Sequence, residues 1–260
     1  MKNNNTPLDL AWNRFHQNEE AADGGLALSN WLLEKVTPEP LMTCLGSDAR
    51  VIELDFSVRA TRLGALDLAE AGASEAVNRL LVEYGAGAAL GRYAEDRGCY
   101  SSPQFISEGQ PRSTHLGVDV FVPAGTEVHA PFDASVVAVA LNDEHLDYGP
   151  TVILRHDLPG APRSFFTLYG HLNMATLDAL RPGQQLKAGE VFAQIGQEQE
   201  NGHWPPHLHV QVILDLLGEE TNFFGVCAPA ELPFWRQICP DPVRILHLPK
   251  PVASGVVLTS

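Results

Sequence analysis

The sequence predicts an α+β protein: a mainly antiparallel, β-rich domain over residues 101–250, preceded by a smaller helix-rich accessory region over residues 1–100 and followed by a tail over residues 251–260. Two observations carry this. Before about residue 100, apolar residues recur at spacings near three and four, the period of one helix face. After Gly98 they fall in short alternating runs separated by Gly, Pro and Asp, the period of half-buried strands joined by turns.

In the first region, residues 29–36 read as a short helix stopped by Pro38 and Pro40, because proline lacks the amide hydrogen that would continue it. Residues 50–57 (RVIELDFS) alternate and predict a strand. Residues 65–92 are patterned for helix through Leu66, Leu68, Ala69, Ala76, Val77, Leu80, Leu81 and Tyr84, with Ser74 followed by Glu75 as a helix start. No chemical constellation occurs here, so the region reads as an accessory domain or cap. In the second region the candidate strands are 115–122, 127–130, 134–142, 151–156, 165–171, 185–186, 191–197 and 207–214. Turn signals lie between them at Pro123-Ala-Gly125, Tyr148-Gly-Pro150, Pro159-Gly160, Pro182-Gly183 and Ala188-Gly189, and residues 175–180 form one helical turn.

Charge narrows the function. With 17 Lys and Arg against 32 Asp and Glu, the formal net charge is -15, and the acidic excess runs through both regions. No basic cluster is available to neutralise phosphates, which argues against nucleic-acid binding. The same charge disfavours docking on anionic membranes or anionic wall polymers. Cys44, Cys99, Cys227 and Cys239 form no CxxC pair and read as reduced, mostly buried thiols, with a Cys227–Cys239 bridge as the alternative. The opening MKNNNTPLDLAWNRFHQNEE has no apolar h-region and no stretch reaches membrane-spanning length, so a soluble cytoplasmic protein is expected.

The placement of the ten histidines carries most of the information. In HLHVQVIL, His207 and His209 are two apart, and the other parity is Leu208, Val210, Val212 and Leu214. On a strand both imidazoles project from one face while the aliphatic parity packs into the core. In HLGVDVFV, His115 and Asp119 are four apart, with Gly117 leaving the space between them free of a side chain. Zinc accepts imidazole nitrogen and carboxylate oxygen, and catalytic sites use three protein ligands with one position open to water. His115, Asp119 and one of His207 and His209 meet that count, and His171 ends the strand-like FFTLYGH. A lone His-x-His or HxxxD is a weak signal; their conjunction in one β-rich region is strong.

HLGVD, LYGHL and HLH in that order, with PAGTEV after the first and PGQQLKAGEVFAQIG before the last, resemble the lysostaphin/LytM-type zinc metallopeptidases over roughly residues 112–214. The resemblance implies a sandwich-like antiparallel fold with the site in a groove. It also implies zinc held by His115, Asp119 and His209, with His171 and His207 as the non-ligand catalytic histidines. The stretches RGCYSSPQF, NDEHLDYGPTVIL, NGHWPPHLH and DLLGEETNFFGVCAPAELPFWRQICPDP resemble a cytosolic subgroup otherwise fused between a kinase-like domain and a class III aminotransferase. Neither a Schiff-base lysine context nor a phosphate loop is visible, so neither neighbouring activity is carried over. The family's Gly/Ser/Thr-rich loop before HxH is replaced by NGHWPP, where Trp204 and two prolines stiffen the approach and His203 is an extra substrate contact, a spare ligand or a solvated loop residue.

The expected activity is hydrolysis of a peptide or small amide bond, of peptidoglycan type or from small peptides. The alternative is a non-catalytic metal-binding or regulatory domain serving a small-molecule enzyme. A peptide or small amide is the expected partner, with no nucleic acid and no membrane, and a partner enzyme or a homo-oligomer is left open. A third reading has residues 1–100 covering the groove and holding the site latent. His129 and His156 read as structural, His16, His145 and His247 receive no role, and Asp133, Asp143 and Asp147 read as turn residues.

Overall fold

The fold is that of a computed structural model, which describes residues 27–259 apart from 29, 33, 63–65, 101, 102 and 108. In chain order the strands are β1 (Val51–Asp55), β2 (Ala88–Gly91), β3 (Ile106–Ser107), β4 (Gln110–Pro111), β5 (Thr114–His115), β6 (Val118–Phe121), β7 (Glu127–His129), β8 (Ala134–Asn142), β9 (Gly149–His156), β10 (Phe165–Gly170), β11 (Gln185–Leu186), β12 (Val191–Gln194), β13 (His207–Ile213), β14 (Val226–Cys227) and β15 (Ala253–Val257). The helices are α1 (Val58–Arg62), α2 (Ala73–Tyr84), α3 (Ala175–Ala179), α4 (Leu232–Ile238) and α5 (Pro242–Ile245).

Nine strands form one mixed sheet in the order β11-β8-β9-β10-β13-β6-β2-β1-β15, and three two-stranded ribbons pair β12 with β7, β14 with β5 and β3 with β4. Neighbours are antiparallel from β11 to β2, whereas β2, β1 and β15 run parallel to one another. β13 and β6 lie near the middle, and every residue of both is buried. Their aliphatic parity, Val118, Val120, Leu208, Val210 and Val212, packs into one core cluster with Phe132, Phe165 and Ile195. At about 1.5–3 kcal/mol for each fully buried aliphatic side chain, that face locks the register, because a one-residue slip would drive the histidines into the core.

Several boundaries move from expectation. The helix predicted over 65–92 is confined to α2, because Gly85 turns left-handed (φ 56) and its amide closes on the Leu81 and Val82 carbonyls. The start of that pattern, residues 66–72, is turn and coil, and its end is strand β2, all four residues buried between β1 and β6. Tertiary burial here overrides helical spacing. β2 pairs with β6, so one sheet runs across residue 100 and both regions contribute to it. The predicted tail contains β15, which edges the sheet beside β1. The run 115–122 divides at Leu116-Gly117 because His115 pairs out to Val226 of β14. Within the predicted helix 29–36 the described residues 30–32, 34 and 35 are helical, and residues 29 and 33 lie outside the described residues. α4 and α5 were not anticipated; they carry Trp235, Ile238 and Ile245 into the core. All four cysteines are free thiols, so Cys227 and Cys239 do not bridge. Among the described residues no helix is long and apolar enough to cross a membrane.

Candidate active site

The sheet register assembles the site. Pairing of β13 with β6 sets His209 directly opposite Asp119 and His207 opposite Phe121, so the imidazoles and the carboxylate share one face. His115 arrives from β5, two residues before Gly117. A β-carbon at Gly117 would stand 2.5 Å from His209 Cε1 and 2.7 Å from its Nε2. The space beside Gly117 is therefore occupied by the His209 ring. Gly91 of β2 lies opposite Asp119 on the other side, where a β-carbon would meet Arg97 Nη2 at 2.7 Å.

The three candidate ligands converge. His115, Asp119 and His209 each offer a ligand atom, all within 4.8 Å of one another. His115 Nε2 is 2.9 Å from His209 Nδ1, and Asp119 Oδ1 is 3.3 Å and 3.2 Å from those two nitrogens. Outer contacts decide the tautomers. His115 Nδ1–H donates to the Arg92 carbonyl at 3.1 Å, which leaves Nε2 as a bare lone pair. Gln211 donates its amide to the Phe224 carbonyl at 3.0 Å, so its Oε1 accepts from His209 Nε2–H at 3.1 Å and His209 Nδ1 is bare. Two lone pairs and a carboxylate oxygen thus face one another. Such a set repels itself until a cation sits among it, and two nitrogens with one oxygen are donors that zinc accepts.

His207 and His171 are oriented by the same device. His207 Nδ1–H donates to the Pro205 carbonyl and His171 Nδ1–H to the Asn201 carbonyl, both at 2.7 Å. Each therefore presents a basic Nε2. The two rings lie 4.2 Å apart between centroids, and His207 Nε2 is 3.7 Å from Asp119 Oδ1. His171 takes a left-handed backbone (φ 63) where β10 ends, and its amide and carbonyl are both bonded, to the Tyr148 carbonyl and the Gly196 amide. Such a conformation costs free energy for a non-glycine residue and is held by its surroundings. Asn201 supports it in turn: its side chain donates to the Trp204 carbonyl and accepts from the Trp204 amide, bracing the NGHWPP loop.

Arg97 is the residue that the sequence did not mark. Fully buried, it donates to Asp119 Oδ2 at 2.6 Å, to Glu95 at 3.1 Å and to the Tyr100 hydroxyl at 3.1 Å. It occupies one oxygen of Asp119 and leaves Oδ1 for the histidines. Burial opposes ionisation of Asp119, but the charge of the adjoining Arg97 guanidinium helps to outweigh it, and the carboxyl is held well below the usual range. Burial, with Arg97 adding to it, lowers His115 to about 4. Burial likewise lowers His207, and His171 is held well below the ordinary imidazole value by burial and then by His207 and His209. All three are neutral lone-pair donors near pH 7.

The five side chains, none more than 5 % exposed, line a cavity of about 510 Å³. His145 and Asp147 border the same cavity, whereas His203 is exposed and outside its lining. His129 bonds the Gly189 carbonyl, and His156 is buried between the Asp133 carbonyl and the Thr167 hydroxyl, both structural roles. Gln211 and Asn201 were also missed; Gln211 alone had a signal, sharing the parity of the two histidines.

No curated protein gives a sequence match to the chain. Among solved structures the chain is similar to a zinc-containing peptidase from Vibrio cholerae, at 27% identity over 43% of this chain and 29% of that one, with a TM-score of 0.31. It is also similar to the catalytic domain of the antimicrobial peptidase lysostaphin from Staphylococcus simulans, at 22% identity over 50% of this chain and 82% of that one, with a TM-score of 0.32. The chain spans less than a third of the length of the Vibrio cholerae chain. Residues 113–221, which are under half of the chain yet contain all five site residues, match Peptidase family M23.

Proposed function

We propose that the chain is a zinc-dependent hydrolase of peptide or amide bonds, with His115, Asp119 and His209 as the metal ligands and His171 and His207 as the proton-handling groups. The observation that carries this is the common tautomeric arrangement. All four imidazoles have their outer nitrogen tied to an oxygen acceptor, so four lone pairs converge beside one carboxylate. Zinc held there would supply Lewis acidity to the scissile carbonyl and make a water acidic enough to attack near neutral pH. Nε2 of His171 or His207 accepts the water proton and returns it to the departing nitrogen. Water oxygen bonds to the carbonyl carbon, the C–N bond breaks, and the products are a carboxylic acid and an amine. The imidazole that does not take the proton presents its bare Nε2 as an acceptor that orients the water. Four unpaired thiols favour a reducing, cytoplasmic setting as part of the same proposal.

The test measures bound zinc and amine release from a library of short peptides and amides. His209→Ala should lose both metal and turnover. His171→Ala should keep wild-type zinc and lose turnover by roughly 10²–10⁴-fold, the usual worth of a general acid–base group. Metal loss in His171→Ala would show the ligand assignment to be wrong, and a zinc-loaded wild type that cleaves no amide would refute the hydrolase.

A further inference from the structure

The cavity above the site is walled from outside the stretch that matches the peptidase family. Before residue 113 the wall includes Leu68, Tyr100 and Phe105 beside the basic Arg97 and Arg112; after residue 221 it includes Phe223, Phe224 and Val226 beside Asn222. Six of these flanking residues are apolar or aromatic, and four of the six are nearly inaccessible: Leu68, Phe105, Phe223 and Val226. One wall is also tied to the floor. Tyr100 packs on Phe105 and Trp204 with ring centroids 4.8 Å and 6.3 Å away, and its hydroxyl accepts from Arg97, which holds Asp119. On the opposite side, β14 pairs Val226 with His115 itself. The walls are anchored to the side chains they surround.

An extended polymer strand needs an open-ended trough in which its chain enters and leaves past the reacting bond. Here the five reactive side chains are almost fully buried, and the space over them, open on one side, is limited to about 510 Å³. That is within the range of roughly 300–1,000 Å³ typical of small-molecule sites lined by apolar and aromatic groups. Building on the hydrolase reading above, we infer that the flanks turn the groove into a small-molecule pocket whose substrate is a small amide with an apolar side group. An N-acyl amino acid or an apolar dipeptide has that size and chemistry. Hydrolysis of such a molecule is the same balanced step: water adds at the acyl carbon, the C–N bond breaks and the amine leaves with the proton.

Two measurements on the zinc-loaded full chain test this. The first compares kcat/KM for N-acyl amino acids and dipeptides graded from glycine to phenylalanine with cleavage of a long oligoglycine and of a cross-linked cell-wall polymer. The second titrates two hydroxamates, one small and benzyl-bearing, the other extended by peptide on both sides. Expected results are at least a tenfold preference for phenylalanine over glycine, no polymer cleavage, and tight binding of the small hydroxamate alone. Phe223→Leu and Phe105→Leu should lower the phenylalanine preference, mainly through KM. Polymer cleavage at a comparable kcat/KM, or binding of both hydroxamates alike, overturns the small-substrate inference while leaving the hydrolase intact. If no amide is cleaved but the small hydroxamate binds, the hydrolase fails and the pocket's selectivity for small apolar ligands stands. The hydroxamate titration needs only wild-type protein, so a variant that fails to fold does not block the test.

Discussion

Substituting Gly117 by alanine tests the site geometry at its tightest point. The added methyl would lie 2.5 Å from His209 Cε1, 2.7 Å from His209 Nε2 and 2.8 Å from the Val210 carbonyl oxygen. Carbon atoms in contact normally rest about 3.5–4.0 Å apart, so the ring or the β6 backbone must retreat by about 1 Å. The backbone cannot give easily, because Val118 and Val210 are cross-strand partners in the buried centre of the sheet. The His209 ring therefore moves, lengthening its bond to Gln211, and the residual clash with the Val210 carbonyl strains the sheet. Overpacking of this kind costs about 1–3 kcal/mol. At roughly 2–4 °C per kcal/mol for a chain approaching this size, Tm should fall by roughly 2–12 °C. A displacement of about 1 Å at a catalytic group costs about 10²-fold in rate, so the functional loss should exceed what the stability loss explains. Calorimetry with and without zinc, a zinc-binding titration and an amide-hydrolysis assay measure the three quantities. Wild-type zinc affinity together with wild-type Tm in Gly117→Ala would refute the reasoning.

Arg97→Met should destabilise the protein by about 3–5 kcal/mol, because removing the cation strands the buried Asp119 carboxylate and leaves the buried Glu95 with Arg92 as its remaining cation. Adding Glu95→Gln to it should recover part of the loss in a thermal melt; strict additivity would mean that the two residues are not coupled. Gln211→Leu should leave the fold intact and weaken zinc by about 10–100-fold, since His209 loses the acceptor that fixes its tautomer; unchanged affinity in competition with a chelator would disprove that role. Stability of the metal-free chain should fall as pH drops. Burial lowers both His115 and His156 from 6.5 to about 4, so between those values the unfolded state binds more protons than the folded one. The stabilisation is complete above about pH 6.5 and is lost on the order of 1 kcal/mol per pH unit per histidine on the way down to about 4. Urea melts across that window measure it, and a flat profile would contradict the buried neutral assignment.

Much of the β-rich half was legible because its strands obey a period of two. Strands β8 and β11 fall where alternation puts them, and the aliphatic parity of β6 and β13 packs as one core face. The N-terminal half was less legible. A run of small apolar residues such as Ala88–Gly91 satisfies helical spacing and a buried strand equally well, and only the neighbours β1 and β6 decide between them.

The sequence by itself determined which groups share a face. His207 with His209 follows from even spacing on one strand, and Gly117 marked where no side chain could stand, whereas His115 and Asp119 lie on separate strands either side of Leu116-Gly117 and still converge. Strand parity left His207 and His209 equal, and only the family resemblance told them apart. The tertiary structure separates them, through partners remote in the chain or invisible to parity. A neighbouring carbonyl, Pro205, takes Nδ1–H of one ring, and Gln211, oriented by Phe224, takes Nε2–H of the other, so the bare nitrogens differ. Arg97 on Asp119 and the aromatic walls from either flank are likewise contacts between distant segments. Local spacing sets the direction of a side chain, whereas the protonated nitrogen, the occupied oxygen and the room left above the site depend on what the rest of the fold brings against it.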